Sequence, residues 1–583
     1  MAFAAPVDDL LFDIQHLARL DALVSECPDF ADAGVEIAQA VLQECARFNE
    51  GVTAPLNFDA DLAPSTHSGT EVTTSKGFKE AYQQFVGGGW QGIQHPEAFG
   101  GQGLPKTLGA ACNEILNAAN LSFALCPLLT AGSDELKAIY LEKLVSGQWT
   151  GTMNLTEPQA GSDLAAVRTR AEPQADGTYK VFGTKIFITY GEHDMAENIV
   201  HLVLARVPGA PEGVKGISLF VVPKFLPQTG GGLGERNDVY CVSIEHKLGI
   251  RASPTAVLQY GDHGGATGYL VGEENHGLQY MFIMMNSARY AVGTQGIAIG
   301  ERAYQKAVAY ARERVQSRPV DDSAREAVTI IHHPDVRRML MIMRALVQGC
   351  RAMAIMAAGA CDRARHHPDA AVRQEQQALY EVLVPLVKGY STETSLEVVN
   401  LGVQVHGGMG YIEETGAAQY YRDAKILTIY EGTTAIQAND LVGRKTARDG
   451  GQQALALAQR VQQTEQALAG GDADAQAVAQ HLQAAREAFE AVVRFVADNT
   501  RSDPNAVFAG SVPYLMLAGN LVAGWQLAES LRVAQREPGD AFMQAKVVTA
   551  RFYAEHILVR AAAAREAIVG GAGSTLALAA EAF

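Results

Sequence analysis

Between about residues 152 and 270 the texture of the chain changes. Short β-branched and aromatic runs, KVFGTKIFIT, NIVHLVLARV, ISLFVVP and TAVLQY, follow one another there, separated by Gly, Pro and Asp turns, the signature of strands. Helical patterns lie on both sides. The order reads as a β domain inserted between helical ones, in a mainly helical α+β chain.

The flanking helical parts differ from each other. From about Val7 to Trp149 helical signals are broken by Gly and Pro clusters such as GGGWQG at 87–92 and FGGQGLP at 99–105, which reads as an all-helical first domain. From about Gln279 to Lys445 longer helices return. Val292, Gly296, Ile299, Ala303, Ala307 and Ala311 recur at steps of four and three, as on the packed face of a bundle helix. RRMLMIMRALVQGCRAMAIMAAGA, from Arg337, is apolar on most faces but carries Arg344 and Arg351, so it reads as core. Near Arg448 the composition shifts to an Ala- and Gln-rich helical segment. Four domains are expected: an N-terminal helical domain at 1–151, a middle β domain at 152–272, a helical bundle at 273–447 and an extra C-terminal helical domain at 448–583. A chain of 583 residues is too long for one core.

Charge and cysteine usage narrow the function. A net charge of −17 repels polyphosphate at long range, and no basic run compensates it, so a nucleic-acid partner and broad membrane attraction are not expected. Seven cysteines lie scattered without metal or redox spacing, read as buried thiols in a reducing compartment. Pro504 to Ala528 carries no charge, but Pro513, Asn520 and Gln526 interrupt it, while Leu515, Ala518, Val522, Trp525 and Ala528 keep helical spacing. That is a packed helix rather than a membrane span. The start lacks a basic cluster ahead of an apolar run and the end is no peroxisomal address, so the expected location is cytoplasmic.

Three segments carry the candidate chemistry. MNLTEPQAGSDL, Met153 to Leu164, alone is a polar turn, yet it could set the Thr156 and Ser162 hydroxyls and the N–H groups around Gly161 against a polar ring and phosphates. KIFIT at 185–189 follows a strand. YEGTTAIQ at 430–437 follows RDAKILTI and an HGGMGY loop at 406–411. Together, in this order and over about residues 80–445, these segments resemble the acyl-CoA dehydrogenase family. The additional C-terminal helical unit and the phrases GTKIFITYGEHDMAENIVHLVLAR and HPDVRRML resemble its longer subfamily, which includes 3-methylmercaptopropionyl-CoA dehydrogenase-like enzymes.

The resemblance implies an FAD enzyme, homodimeric, that oxidises an acyl-CoA of medium to long chain, or alternatively a short thioether acyl-CoA, to its trans-2-enoyl product, with an electron-transferring flavoprotein as acceptor. By position, Leu155, Thr156, Gly161 and Ser162 would line the flavin, with Phe187 and Thr189 beside its isoalloxazine ring. Many relatives have Trp where Phe187 stands, so the apolar face is kept without an indole hydrogen bond. Arg314 and Gln316 would reach the FAD pyrophosphate of a neighbouring subunit, a task suited to a planar cation. Gln404, Gly407 and Gly408 match the adenosine-side loop, and Thr433 a further cofactor contact. Ser162, Arg289, Tyr430 and Gly432 would hold the substrate.

Glu431 would take the α proton while the flavin accepts a hydride from the β carbon. A base for that proton must sit within hydrogen-bond reach in a dry pocket that raises its pKa, and the enolate oxygen would be met by the backbone N–H of Glu431 and a ribityl hydroxyl. No metal is required. Between NEILNAAN and GSDELK, at about 120–135, the chain is shorter than its relatives, which implies a reshaped acyl pocket. Three readings compete: an acyl-CoA oxidase; a DNA-binding relative of the same fold, for which a basic C-terminal face is needed while acidic residues outnumber Arg and Lys in 451–583; and a catalytically silent CoA binder, with which an intact Glu431 conflicts.

Overall fold

The computed structural model describes residues 3–124, 134–228 and 232–583. They divide into two compact units, one of Phe48–Leu104 and Ala119–Ala288, the other of Met1–Arg47, Pro105–Ala118 and Arg289–Phe583.

The first unit is built on a sheet. A hairpin of β1 (Thr66–Ser68) and β2 (Glu71–Thr73) precedes β3 (Trp149–Asn154), β4 (Arg170–Pro173), β5 (Tyr179–Thr189), β6 (Asn198–Ala205), β7 (Ser218–Pro223), β8 (Phe225–Pro227), β9 (Leu233–Arg236), β10 (Val239–Ile244), β11 (Thr255–Tyr260) and β12 (Ala266–Leu270). The main sheet runs β10, β11, β5, β12, β7, β6, β3, with β4 beside β5. Its pairs are antiparallel except β3 with β6. A pleated strand sends successive side chains to opposite faces, so the unbroken apolar runs of the sequence require cover on both sides. The packing follows. Leu202, Leu204, Leu219 and Val221 enter one core with Trp149, Met281 and Met284. Their neighbours Val203, Ala205, Phe220 and Val222 enter another with Val181, Ile188 and Leu258.

The hairpin corrects the expectation of an all-helical first segment. Each strand has three residues, too few for an alternating pattern to stand out, and Gly69 at φ +64° supplies the turn. Val72 joins the core that holds Val239 and Cys241.

The second unit is helical. It contains α1 (Val7–His16), most of α2 (Lys106–Ala119), α3 (Gly277–Glu313) from Arg289 on, α4 (Pro334–His366), α5 (Ala370–His406), α6 (Thr434–Gly443), α7 (Gln452–Ala469), α8 (Ala473–Asn499), α9 (Ser511–Ala534) and α10 (Ala541–Tyr553). Among the described residues α4 alone is long and apolar enough to cross a membrane, and it is buried inside the unit. Its Arg351 is fully buried, with Nε donating to Glu114 (2.7 Å) and Nη2 to Glu301 (2.8 Å), so the charge is paired within the core. The uncharged 504–528 stretch falls largely in α9, where Leu515, Ala518, Val522, Trp525 and Ala528 are buried. α9 lies against α5. Gly519 is pressed so closely to the Tyr390 ring that a Cβ would stand 2.2 Å from it, and the Tyr390 hydroxyl bonds Asn520 (2.8 Å) and Tyr553 (2.9 Å). Six cysteines are buried and free; Cys126 lies outside the described residues.

Candidate active site

In the sheet unit, β3 delivers the MNLTEPQAGSDL segment and β5 delivers KIFIT. The two are strapped together. The buried Lys185 donates from Nζ to the Leu155 carbonyl (3.0 Å) and to Glu157 Oε1 (2.8 Å), and the Ile186 N–H donates to the Thr156 carbonyl (3.0 Å). Glu157 also accepts from the Thr169 hydroxyl (2.6 Å) and from the N–H groups of Arg168 (2.8 Å) and Thr169 (3.0 Å). Burial works against its charge, but Lys185 and these donors outweigh it and hold its carboxyl at about 2. Burial lowers Lys185 to about 8, with Glu157 opposing the fall.

Just past the strap the chain presents an open surface. Phe187 takes a left-handed φ of 60° and is 58% exposed, a conformation rare for a bulky residue and associated with functional strain. Gly161 has open space where a Cβ would stand. Gly161 and Ser162 are exposed, and Leu155, Thr156 and Thr189 are part-exposed. Among the described residues the hydroxyls of Thr156, Ser162 and Thr189 have no hydrogen-bond partner. An open aromatic face beside unengaged hydroxyls and an unencumbered glycine fits a planar polar ring with a phosphate tail.

In the helical unit, Glu431 (φ 52°) and Gly432 (φ 89°) form two successive left-handed residues between a short 3₁₀ turn, Lys425–Thr428, and α6. Thr433, expected at the cofactor, caps α6 by accepting from the Ile436 N–H (3.3 Å). Gln437 Nε2 donates to the carbonyls of Glu431 (3.4 Å) and Gly432 (3.2 Å). The Glu431 carboxylate has no hydrogen-bond partner among the described residues. Burial raises its pKa, opposed by the positive charges of Arg289 and Lys388. Such a carboxylate is a poised proton acceptor.

Its neighbours are ordered. The buried Arg289 lies 3.3 Å from Asp440 on α6, and the Tyr430 hydroxyl donates to Gln295 on α3. Burial and then Glu431 push the Tyr430 hydroxyl pKa up, so it stays protonated. Lys388, Glu393, Gln295, Asp440 and the Glu157–Lys185 pair are absent from the residues singled out by sequence. A lysine inside the apolar run VLVPLVKGY was the signal for Lys388.

Arg314 and Gln316 are exposed just beyond α3, and Gln404, Gly407 and Gly408 are exposed at the end of α5. The Tyr310 and His406 rings stack at 4.5 Å, so these two helix ends meet. The Arg314 guanidinium has no partner among the described residues, and neither Gly407 nor Gly408 has an atom near a Cβ position. Among the described residues no cluster of His, Cys, Asp or Glu suits a metal ion. The shortened 120–135 region falls mostly on residues 125–133, outside the described residues.

Four family descriptions match in order: acyl-CoA dehydrogenase N-terminal domain at 39–148, middle domain at 152–262 and C-terminal domain at 275–446, then acetyl-CoA dehydrogenase C-terminal like at 457–579. A 3-methylmercaptopropionyl-CoA dehydrogenase of Ruegeria pomeroyi is 56% identical over 99% of both chains. A broad-specificity linear acyl-CoA dehydrogenase of Mycobacterium tuberculosis is 35% identical over 97% of both. An acyl-CoA dehydrogenase of Bacillus anthracis, solved in complex with FAD, superposes with a TM-score of 0.74 at 22% identity, over 96% of this chain and 91% of the other.

Proposed function

Because the chain belongs to the acyl-CoA dehydrogenase family, an oxidoreductase family, we propose that it is an FAD enzyme that desaturates a short thioether acyl-CoA between its α and β carbons, with Glu431 as base. The full-length 56% identity to the Ruegeria enzyme favours 3-methylmercaptopropionyl-CoA as substrate. A medium to long linear acyl group is the second reading, supported by the Mycobacterium relative at 35%.

The observation that carries the mechanism is the Glu431 carboxylate, desolvated and without a hydrogen-bond partner among the described residues. Desolvation makes it a stronger proton acceptor than a surface carboxylate, while the positive charges of Arg289 and Lys388 oppose that rise and favour its ionised form. It takes the α proton. The left-handed turn frees its own N–H to meet the thioester oxygen as negative charge develops there. Tyr430, fixed on Gln295, packs beside the thioester, and Arg289 and Gly432 keep the turn in place. FAD, when bound, supplies the acceptor for the hydride that leaves the β carbon. Leu155, Thr156, Gly161, Ser162, Phe187 and Thr189 hold its ring, with Ser162 also touching substrate and Thr433 the cofactor.

Arg314, Gln316, Gln404, Gly407 and Gly408 serve the FAD of a second copy in a homodimer. The exposed Val315, Val320, Met409, Tyr411 and Ile412 around them support such an interface. An electron-transferring flavoprotein reoxidises the enzyme in the cytoplasm, and the C-terminal helices take over packing that a second dimer supplies in shorter relatives. Anaerobic bleaching of the flavin against graded linear acyl-CoAs and 3-methylmercaptopropionyl-CoA tests the proposal. Fastest bleaching with the thioether supports it, and faster bleaching with long linear chains selects the second reading.

A further inference from the structure

The turn that carries Glu431 is gripped at both ends by one helix. Before the turn, Lys388 Nζ on α5 donates to the Leu427 carbonyl at 2.9 Å. After it, the Thr434 hydroxyl donates to Glu393, also on α5, at 2.5 Å. Between the grips lie the two left-handed residues, a conformation that costs about 1–2 kcal/mol for a residue with a side chain and persists where its surroundings fix it.

Lys388 is an expensive way to hold one carbonyl. Its side chain is fully buried, and among the described residues no carboxylate lies within ion-pair distance of its ammonium. A buried cation without a paired anion is disfavoured, so a neutral donor would hold the turn more cheaply. What the neutral donor lacks is a field on Glu431.

We propose that Lys388 is a positioning residue for the base: it anchors the turn through Leu427 and places a positive charge near the Glu431 carboxylate, setting the pH at which that base becomes ionised. The charges acting on Lys388 are Glu431, Glu393 on its own helix and Arg289 on α3; those acting on Glu431 are Arg289 and Lys388. Arg289 is itself turned toward Asp440, which also pairs with Arg444 at 3.0 Å, so Lys388 is the less committed of the two cations. Burial lowers it to about 8, which leaves it charged at neutral pH.

The inference rests on Glu431 being the base, and the test separates the two claims. Holoenzymes carrying Lys388→Gln, Lys388→Arg and Glu431→Gln are compared with wild type for kcat/KM against pH and for thermal midpoint. Loss of the ammonium makes Glu431 harder to ionise, so in Lys388→Gln the acid limb moves to higher pH by about one unit, the lower end of what a nearby opposite charge produces. Lys388→Arg returns it toward the wild-type position. An unmoved acid limb in Lys388→Gln, whatever happens to its thermal midpoint, overturns the inference while Glu431→Gln remains inactive. Activity in Glu431→Gln overturns the proposed function instead. Should Lys388→Gln not fold, Lys388→Met, which removes the buried charge at similar length, is read by the same limb.

Discussion

Two buried Lys–Glu neighbourhoods, one in each unit, use the same residue types for opposite ends. At the strap between β3 and β5 Lys185 and Glu157 touch at 2.8 Å, and four further donors, from Gln159, Arg168 and Thr169, complete the carboxylate. At the Glu431 turn, Lys388 and Glu431 feel each other's charge with no ion pair between them among the described residues. Burial brings both lysines to about 8. The carboxylates diverge: Glu157 is held at about 2, Glu431 is raised. Contact fixes a carboxylate as a permanent anion and makes it a fastener. Separation leaves it ionisable and able to take a proton. Both regions then present the residue of interest at a left-handed φ, Phe187 at 60° and Glu431 at 52°.

The largest effect expected from this contrast is on turnover. Glu431→Gln keeps the shape of the turn but removes the proton acceptor, so kcat should fall by on the order of 10³-fold or more while the protein still takes up FAD and stays yellow. Glu157→Gln should do the reverse. Breaking the buried pair leaves Lys185 without its anion, and thermal or denaturant unfolding should show a loss of about 3–5 kcal/mol, with weaker FAD uptake.

A somewhat smaller effect follows from pH. The folded-state value of Glu157 lies below its ordinary 4.5, at about 2, so its stabilisation is complete above 4.5 and is lost as pH falls from there toward 2. That is worth about 3 kcal/mol. Wild type should therefore lose stability over that window, and Glu157→Gln should lose correspondingly less in a paired denaturation series. The smallest effect tests the turn alone. At Gly432, φ is +89° and a Cβ would meet Gln437 Nε2 at 2.7 Å, the end of a flexible side chain that can move. Gly432→Ala should cost about 1–2 kcal/mol, read as a modest drop in thermal midpoint.

The contrast also explains what the sequence could disclose. The sheet was legible because strands covered on both faces read as apolar runs, and β6 and β7 alternate between two cores residue by residue. The segments around Thr156, Phe187 and Glu431 were legible because their residue types follow one another in a family order. The fasteners were not. Glu157 and Lys185 each stand inside a recognised segment, yet 28 positions separate them and neither pattern names the other. Lys388 bonds a backbone carbonyl 39 positions away, and any residue could supply that carbonyl. Left-handed backbone at Phe187 and Glu431 is equally silent, since glycine is the letter that announces it. The three-residue strands of the 66–73 hairpin were too short to show a period.

The most direct measurement follows the α proton itself. Holoenzyme incubated in D₂O with an acyl-CoA whose β carbon reacts slowly should exchange α hydrogen for deuterium, seen by NMR of the thioester. Exchange in wild type and none in Glu431→Gln is the expected result. Undiminished exchange in Glu431→Gln would show that another group removes the proton and would contradict the account.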